Sequence, residues 1–236
     1  MNIGSWQWYD YPVLGSTNDL AKEQSENFSG RQTVYTAKIQ TAGRGRRGRQ
    51  WVSEEGNLFM SQLLKAGIPV SDTVFITAVS IAETVRSLTA GLQINIKWPN
   101  DVLIGGKKVC GILIEAAANN TVVIGTGVNL AASPEDSMVM YPADNLAAHG
   151  FNISREDFLG EYLKMFDANI DLHHKQGLAA VLKKWLAYAY RLGEKIKVSQ
   201  NGKVREGIFK GIDEQGFLLL EQDQNIIKIA AGDISA

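Results

Sequence analysis

The chain has 236 residues, 45% of them apolar, and a mean hydropathy of −0.10, which fits one large domain or a domain with a small module attached. Its 24 lysines and arginines against 25 aspartates and glutamates leave a net charge of −1, which argues against the broad basic face of a dedicated nucleic-acid binder. One cysteine, Cys110, and three histidines without metal-ligand spacing exclude an internal disulfide and a cysteine-cluster metal centre.

Met1 to Trp8 lacks the basic and apolar blocks of a signal peptide, and no apolar run approaches the ~18 residues of a membrane span, so a cytoplasmic protein with no membrane partner is expected. From residue 12 onward short apolar runs alternate with helical stretches. Ser16-Thr17-Asn18-Asp19 opens a helix to about Ser25, with Ser16 or Thr17 at the N-cap and Asp19 in the first turn. Thr33 to Gln40 and Asn57 to Leu64 read as strands that bracket residues 43 to 51, Gly-Arg-Gly-Arg-Arg-Gly-Arg-Gln-Trp. Four arginines among three glycines repel one another on a backbone with no preferred conformation, so this loop is expected to lack order until an anion arrives. Guanidinium forks and glycine N–H groups suit phosphate oxygens. The loop therefore predicts a phosphorylated ligand.

A helix is predicted over Asp72 to Ala90, where Val74, Ala78, Ile81, Ala82, Val85 and Leu88 share one face. Ile94 to Trp98 reads as a strand stopped by Pro99-Asn100-Asp101, and Val102 to Ile104 pairs with Val109 to Ala116 across Gly105-Gly106. Thr121 to Leu130 follows an Asn119-Asn120 turn, giving a mostly antiparallel sheet. Ser133 to His149 is loop-like, and helices follow over Ser154 to Lys175 and Gly177 to Arg191. His173 and His174 are expected at a solvated helix end. Beyond Gly193 come strands at Lys195 to Ser199, Val204 to Ile212, Phe217 to Glu221 and Ile226 to Ile229, with turns at Asn201-Gly202 and Glu214-Gln215-Gly216. A β-module of that size is expected to lean on the domain before it.

Proline in Lys97-Trp98-Pro99-Asn100-Asp101 stiffens a strand end, from which a carboxylate, an amide and a cation can face a metal-bound nucleotide; an ordinary Asn-Asp turn explains the same residues. Lys108 follows a Gly-Gly turn, where lysines are commonly solvated. Gly125 and Gly127 interrupt an apolar strand, which requires either a ligand against the backbone, a bulge or a tight helix contact. Trp51 suits either a purine or the rim of the core.

In order along the chain stand Ser-Thr-Asn at 16 to 18, Gln-Thr-Ala-Gly-Arg-Gly-Arg-Arg-Gly-Arg-Gln-Trp at 40 to 51, Gly-Asn-Leu at 56 to 58, Lys-Trp-Pro-Asn-Asp at 97 to 101, Lys-x-x-Gly-Ile-Leu at 108 to 113 and Gly-x-Gly-Val-Asn at 125 to 129. Together they resemble the biotin protein ligases. The resemblance implies an α+β catalytic domain over residues 1–191, with a mixed, mostly antiparallel sheet packed with helices as in class II aminoacyl-tRNA synthetases, and an SH3-like β-barrel over residues 192–236. Only fifteen residues precede Ser16, so the type without an N-terminal helix-turn-helix repressor domain, and without DNA as a partner, is implied.

The implied activity is ATP- and Mg2+-dependent attachment of biotin to one lysine of the apo biotin carboxyl carrier domain of acetyl-CoA carboxylase, through biotinyl-5′-AMP. By resemblance Ser16, Thr17, Asn18, Gln40, Gly43, Arg44, Gly45, Arg46, Lys108, Gly111, Gly125 and Gly127 hold biotin. Arg46, Arg49, Trp51, Asn57, Lys97, Asn100, Asp101, Lys108 and Asn129 surround ATP, with Asp101 on the metal and Lys108 and Arg46 catalytic. Such ligases often dimerise through a sheet edge, so a homodimer is also implied. The residue types suit the chemistry, because a carboxylate and a triphosphate repel in a closed site unless fixed cations stand between them. Two rival readings are lipoate-type ligation by the same adenylate route and a non-enzymatic single-strand binder using the arginine-glycine stretch.

Overall fold

The computed structural model describes residues 1–65, 67–139, 141–200 and 202–235. Strands β1 (Asn2–Ile3), β2 (Trp6–Leu14), β3 (Thr33–Gln40), β4 (Leu58–Lys65), β5 (Ile94–Lys97), β6 (Asp101–Ile104), β7 (Lys107–Ala117) and β8 (Thr121–Val128) form one sheet in the order β1-β2-β3-β4-β8-β7-β6-β5. Every neighbouring pair is antiparallel except β2 and β3, which run parallel with Trp8 opposite Val34. The α1 helix (Thr17–Ser25) makes the crossover that a parallel pair requires.

No strand is read from the sequence over residues 6 to 14, and Pro12 stands inside the one that forms there. The structure explains how proline is tolerated. β1 pairs with β2 only at Trp6 and Gln7, so Pro12 faces an edge that needs no N–H. Alternation survives where burial demands it, with Trp6 and Trp8 both in the core.

Three helices, α2 (Val70–Leu88), α3 (Arg155–Gln176) and α4 (Leu178–Ala187), share the main core with Leu58, Met60, Ile112, Ile124 and Val128 of the sheet. Each such side chain, fully buried, stabilises the fold by roughly 1.5–3 kcal/mol. Polar residues on buried α2 are self-satisfied: the Thr77, Ser80 and Thr84 hydroxyls donate to carbonyls one turn back at 2.7 Å. On the opposite face of the sheet, Ala21 of α1 packs with Tyr35, Leu63 and Val123. The Gly105-Gly106 hairpin forms as expected, both glycines having positive φ.

Two expectations are corrected. The helix predicted to Arg191 stops at Ala187, because the chain then runs along β5: Ile96 N–H donates to Tyr188 O and Tyr190 N–H to Ile96 O. His173 is not solvated; its Nε2 lies 2.9 Å from Asp72 and ties α3 to α2.

The terminal strands β9 (Lys195–Gln200), β10 (Lys203–Ile212), β11 (Leu218–Gln222), β12 (Asn225–Ile229) and β13 (Asp233–Ser235) form a separate antiparallel sheet in the order β12-β11-β10-β9-β13. The short β13 has no counterpart in the sequence reading, and Asn201 of the expected turn lies outside the described residues. Ile196, Val198, Phe209 and Leu220 join the main core, and Trp98 Nε1 donates to Gly216 O at 3.0 Å. The module thus leans on the larger sheet. Among the described residues no helix is long and apolar enough to cross a membrane.

Candidate active site

On the sheet face opposite α2, α3 and α4, neighbouring strands align Phe59, Gly127, Gly111 and Asp101 in one row, and Ser61, Gly125 and Leu113 in the next. Three glycines leave the floor bare. Protein side chains approach it closely: a Cβ on Gly111 would stand 2.7 Å from the Trp51 ring, one on Gly127 would overlap the same indole, and one on Gly125 would overlap the Asn18 amide. A cavity of about 430 Å³ opens above this floor.

Around one end α1 delivers Ser16, Thr17 and Asn18. Ser16 occupies the N-cap position but its side chain caps nothing, contrary to the expectation, and Thr17 looks elsewhere. Gln40 Oε1 accepts from Thr17 N at 2.8 Å and from its hydroxyl at 3.1 Å, while the Ser61 hydroxyl lies 2.5 Å from Asn18 Oδ1. Asn18 Nδ2 donates to Glu115 at 2.8 Å, and Lys22 pairs with the same carboxylate. Burial would raise the Glu115 pKa, but its bonds to Lys22 and Asn18 outweigh that and hold it below the ordinary value.

The arginine loop is folded. Trp51 N–H donates to Gly43 O and Gly45 N–H to Arg49 O, closing a narrow ribbon whose tip uses positive φ at Arg47 and Gly48. Mutual repulsion, which alone implies a loop without order, is offset by acids distant in sequence: Arg44 pairs with Asp19, and Arg47 and Arg49 with Asp233 of the terminal module. Arg46 instead points inward, its Nη1 donating to Asn100 Oδ1 at 2.8 Å. Burial lowers its pKa, Asp233 and Asp101 oppose that, and a guanidinium so placed stays charged.

Lys108 reaches the site because of a bulge. Between β6 and β7 the register shifts so that Leu103 faces Lys108 while Val102 faces Cys110. Val109 and Cys110 both enter the core, and Lys108 is turned onto the face of Gly111. Its backbone is held by Pro142 O and Asp144 N, each at 2.9 Å. Its ammonium is 2.8 Å from Asp101 Oδ1, a charge contact off the hydrogen-bonding direction, and 5.2 Å from the Trp51 ring centre. Burial pushes the neighbouring Cys110 thiol up, which keeps it neutral.

Ser16, Thr17, Asn18, Gln40, Arg44, Gly45, Arg46, Arg49, Trp51, Asn100, Asp101, Lys108, Gly111, Gly125, Gly127 and Asn129 all line this cavity. Three sequence candidates do not. Gly43 lies at the loop base, where a Cβ would stand 2.7 Å from Trp51 O. Asn57 is buried, its Oδ1 accepting from the N–H groups of Leu130, Ala131 and Ala132. Lys97 lines a smaller adjoining cavity. Sequence reasoning missed Ser61, Glu115 and Asp233. A buried serine in an apolar strand was the one available signal for Ser61; the two acids carry none, since only folding brings them to the loop and to α1.

The chain matches the model of the biotin/lipoate A/B protein ligase family over residues 11–129 and that of the biotin protein ligase C-terminal domain over residues 192–236. It is 36% identical over 234 residues to the bifunctional ligase/repressor BirA of Bacillus subtilis, covering 95% of this chain and 72% of that protein. It is 35% identical over 221 residues to the biotin–[acetyl-CoA-carboxylase] ligase of Paracoccus denitrificans, covering 87% and 90%. The crystal structure of the Aquifex aeolicus biotin protein ligase in complex with biotin and ATP superposes with a TM-score of 0.85 at 26% identity, covering 97% of both chains.

Proposed function

We propose that this chain, which belongs to the biotin/lipoate A/B protein ligase family, joins biotin to a lysine of an apo biotin carboxyl carrier domain in the cytoplasm, with ATP as the second substrate and biotinyl-5′-AMP as the intermediate. In this reading residues 1–191 are the catalytic unit and residues 192–236 the terminal module. The observation that carries it is that Lys108 and Arg46 both line the cavity of about 430 Å³ above Gly111, Gly125 and Gly127, together with the hydroxyls and amides of Ser16, Thr17, Asn18 and Gln40.

A carboxylate is a poor acceptor for an amine, so the acid must first be activated. Its oxygen attacks the α-phosphorus of ATP and pyrophosphate leaves. The negative charges that meet in that step are screened by the Lys108 ammonium, a compact charge able to follow the transferring group, and by the Arg46 guanidinium. Ser16, Thr17, Asn18 and Gln40 offer hydroxyls and amides to the ureido end, with Gly125 leaving room; Arg44, Gly45 and Arg46 close over the acid. Trp51, Arg49, Asn100 and Asn129 surround the nucleotide, the buried Trp51 Nε1 finding no acceptor among the described residues. The arginine loop, over the site, excludes water from the acyl-adenylate until the carrier lysine arrives.

Asp101, the one carboxylate among the described residues lining the cavity, suits Mg2+, which takes one or two carboxylates and completes its shell with phosphates and water. Bound there, the ion supplies neutralisation of phosphate charge.

Mass spectrometry of an apo carrier domain incubated with the protein, ATP, Mg2+ and biotin tests the reading. One biotinyl group on one lysine is expected; lipoylation from lipoic acid with no biotinylation would overturn it.

A further inference from the structure

We propose that Glu115, which does not itself line the cavity, is a specificity-determining positioning residue: it fixes the direction of a chain of hydrogen bonds that ends at Thr17, so that the site accepts a ring N–H and refuses a ring without one. This role rests on the ligase reading above and decides which acid such a ligase takes. Glu115 lies on β7 two residues beyond Leu113, on the sheet face that carries the glycine floor. Asn18 and Lys22 stand one turn apart on α1 and grip one carboxylate oxygen each. Burial opposes ionisation of Glu115, but the bonds to Lys22 and Asn18 hold its pKa below the ordinary value, so the group acts as an acceptor only.

The supply of protons fixes every later link. Asn18 is buried and turns its NH2 group to the carboxylate, at 2.8 Å, which leaves its Oδ1 facing Ser61. The amide lies against Gly125, where even a Cβ would overlap it. Ser61 is fully buried and has one hydroxyl proton, which the amide oxygen 2.5 Å away claims. Toward Thr17 Oγ1, at 2.8 Å, Ser61 therefore offers only lone pairs, and the Thr17 proton points at Ser61. The other acceptor near Thr17 Oγ1 is Gln40 Oε1 at 3.1 Å, which already takes the Thr17 N–H at 2.8 Å. What the Thr17 hydroxyl presents to the cavity is thus a lone pair. A ureido N–H satisfies it. A dithiolane has no N–H, and a buried acceptor left unpaired is how a polar pocket rejects an analogue that lacks the matching donor. Without the carboxylate the Asn18 amide is free to turn over, Ser61 can donate to Thr17, and Thr17 meets the ureido N–H with a proton of its own.

The KM for biotin in biotin-dependent ATP–pyrophosphate exchange reads this chain. Glu115→Leu should raise it about tenfold, with kcat at saturating biotin and the KM for ATP within about twofold of the parent. Glu115→Gln keeps an oxygen for Asn18 once the part-exposed Lys22 swings into water, and should recover most of the loss. Ser61→Ala cuts the chain at its middle and should raise the KM for biotin by a similar factor. Because both changes act on one chain, the double variant should be little worse than the worse single, whereas independent losses multiply. Cyclic carbamate analogues of biotin, with oxygen in place of either ureido N–H, read selectivity: the parent should prefer biotin to at least one of them, and Glu115→Leu should lose about tenfold of that preference. An unchanged KM for biotin in Glu115→Leu, or fold-changes that multiply in the double variant, overturns the role of Glu115 and, with exchange intact in the parent, leaves the ligase reading standing. Titration calorimetry with biotin alone separates the converse. Glu115-dependent binding of biotin by a parent that shows no exchange overturns the ligase reading and leaves the chain in place.

Discussion

Arg47 Nη1 lies 3.0 Å from Asp233 Oδ2 across 186 positions of sequence. Arg49 takes the other carboxylate oxygen at 3.2 Å, so one aspartate of the terminal module ties down the outer side of the arginine loop. Both arginines are more than a third exposed, which limits each pair to about 0.5–1 kcal/mol. Asp233→Ala is therefore expected to speed dissociation of biotinyl-adenylate about fivefold while lowering the thermal midpoint by no more than a few degrees. A stopped-flow chase of bound adenylate measures the rate, and an unchanged rate would free the loop from the module.

Gly127→Ala meets no backbone strain, because its φ is ordinary, but its methyl group overlaps the Trp51 indole. The ring must leave the floor. Exchange activity is expected to fall at least tenfold with the circular-dichroism spectrum intact, since misplacement of a positioning group by about 1 Å has effects of that order or larger. Gly160→Ala, a change in α3 where the added methyl meets nothing within 4 Å, is the control and should stabilise by about 0.5–1 kcal/mol. Full activity of Gly127→Ala would show that the indole does not define the site.

Lys108→Ala and Arg46→Gly should fail differently. Lys108 faces the site from a strand held on both sides, so its removal should reduce biotin-dependent ATP–pyrophosphate exchange about a hundredfold or more. Arg46 belongs to the loop and bonds Asn100; its loss should lower the exchange less than loss of Lys108 does and, in addition, let the adenylate escape and label bystander proteins. Streptavidin blots of a mixture of unrelated proteins read the second outcome. Tight retention by Arg46→Gly would move the sealing role elsewhere.

Lys97→Met should stabilise the protein. Burial lowers the pKa of this lysine from the ordinary value to about 8, a burden of about 3 kcal/mol at neutral pH when fully expressed. Loss of the Tyr141 contact takes back about 1–2 kcal/mol, leaving a net gain of about 1–2 kcal/mol. Below pH 8 both folded and unfolded states carry the proton and the burden is complete. Between about pH 8 and the ordinary lysine range the folded state sheds it first, parent stability rises, and the gap between parent and variant should close. Denaturant melts at pH 7 and pH 10 with a constant gap would contradict this.

Much of the sheet was legible, because β3, β4 and the β6–β7 hairpin carry apolar runs bounded by turn residues whose conformations are local. β2 was hidden by Pro12, and β13 by its length of three residues; both exist through partners far along the chain. The end of α4 was overrun because Tyr188 to Arg191 contain no glycine or proline to stop a helix, while hydrogen bonds to Ile96 take that stretch out of the helix as a series of turns. Within the site, chemical types were legible and company was not. Gly125 and Gly127 were recognised as places of close approach, but Asn18 and Trp51 as what approaches them are a matter of the folded chain.

The amino-acid order alone determined which groups this protein commits to its site: a glycine-spaced set of guanidiniums, a lysine behind a tight turn, an aspartate beside a proline and glycines inside a strand. Those are local patterns, and the chemistry of each side chain travels with it. Only the tertiary structure decided which face they share. Strand side chains alternate, so Lys108 and Gly111, three apart, belong on opposite faces; one bulge at Val109 reverses that parity and puts the ammonium over the cavity. The pairing of Asp233 with the loop was likewise decided by packing of the terminal module on the main core, because charges so distant in sequence meet only when the apolar surfaces between them are buried.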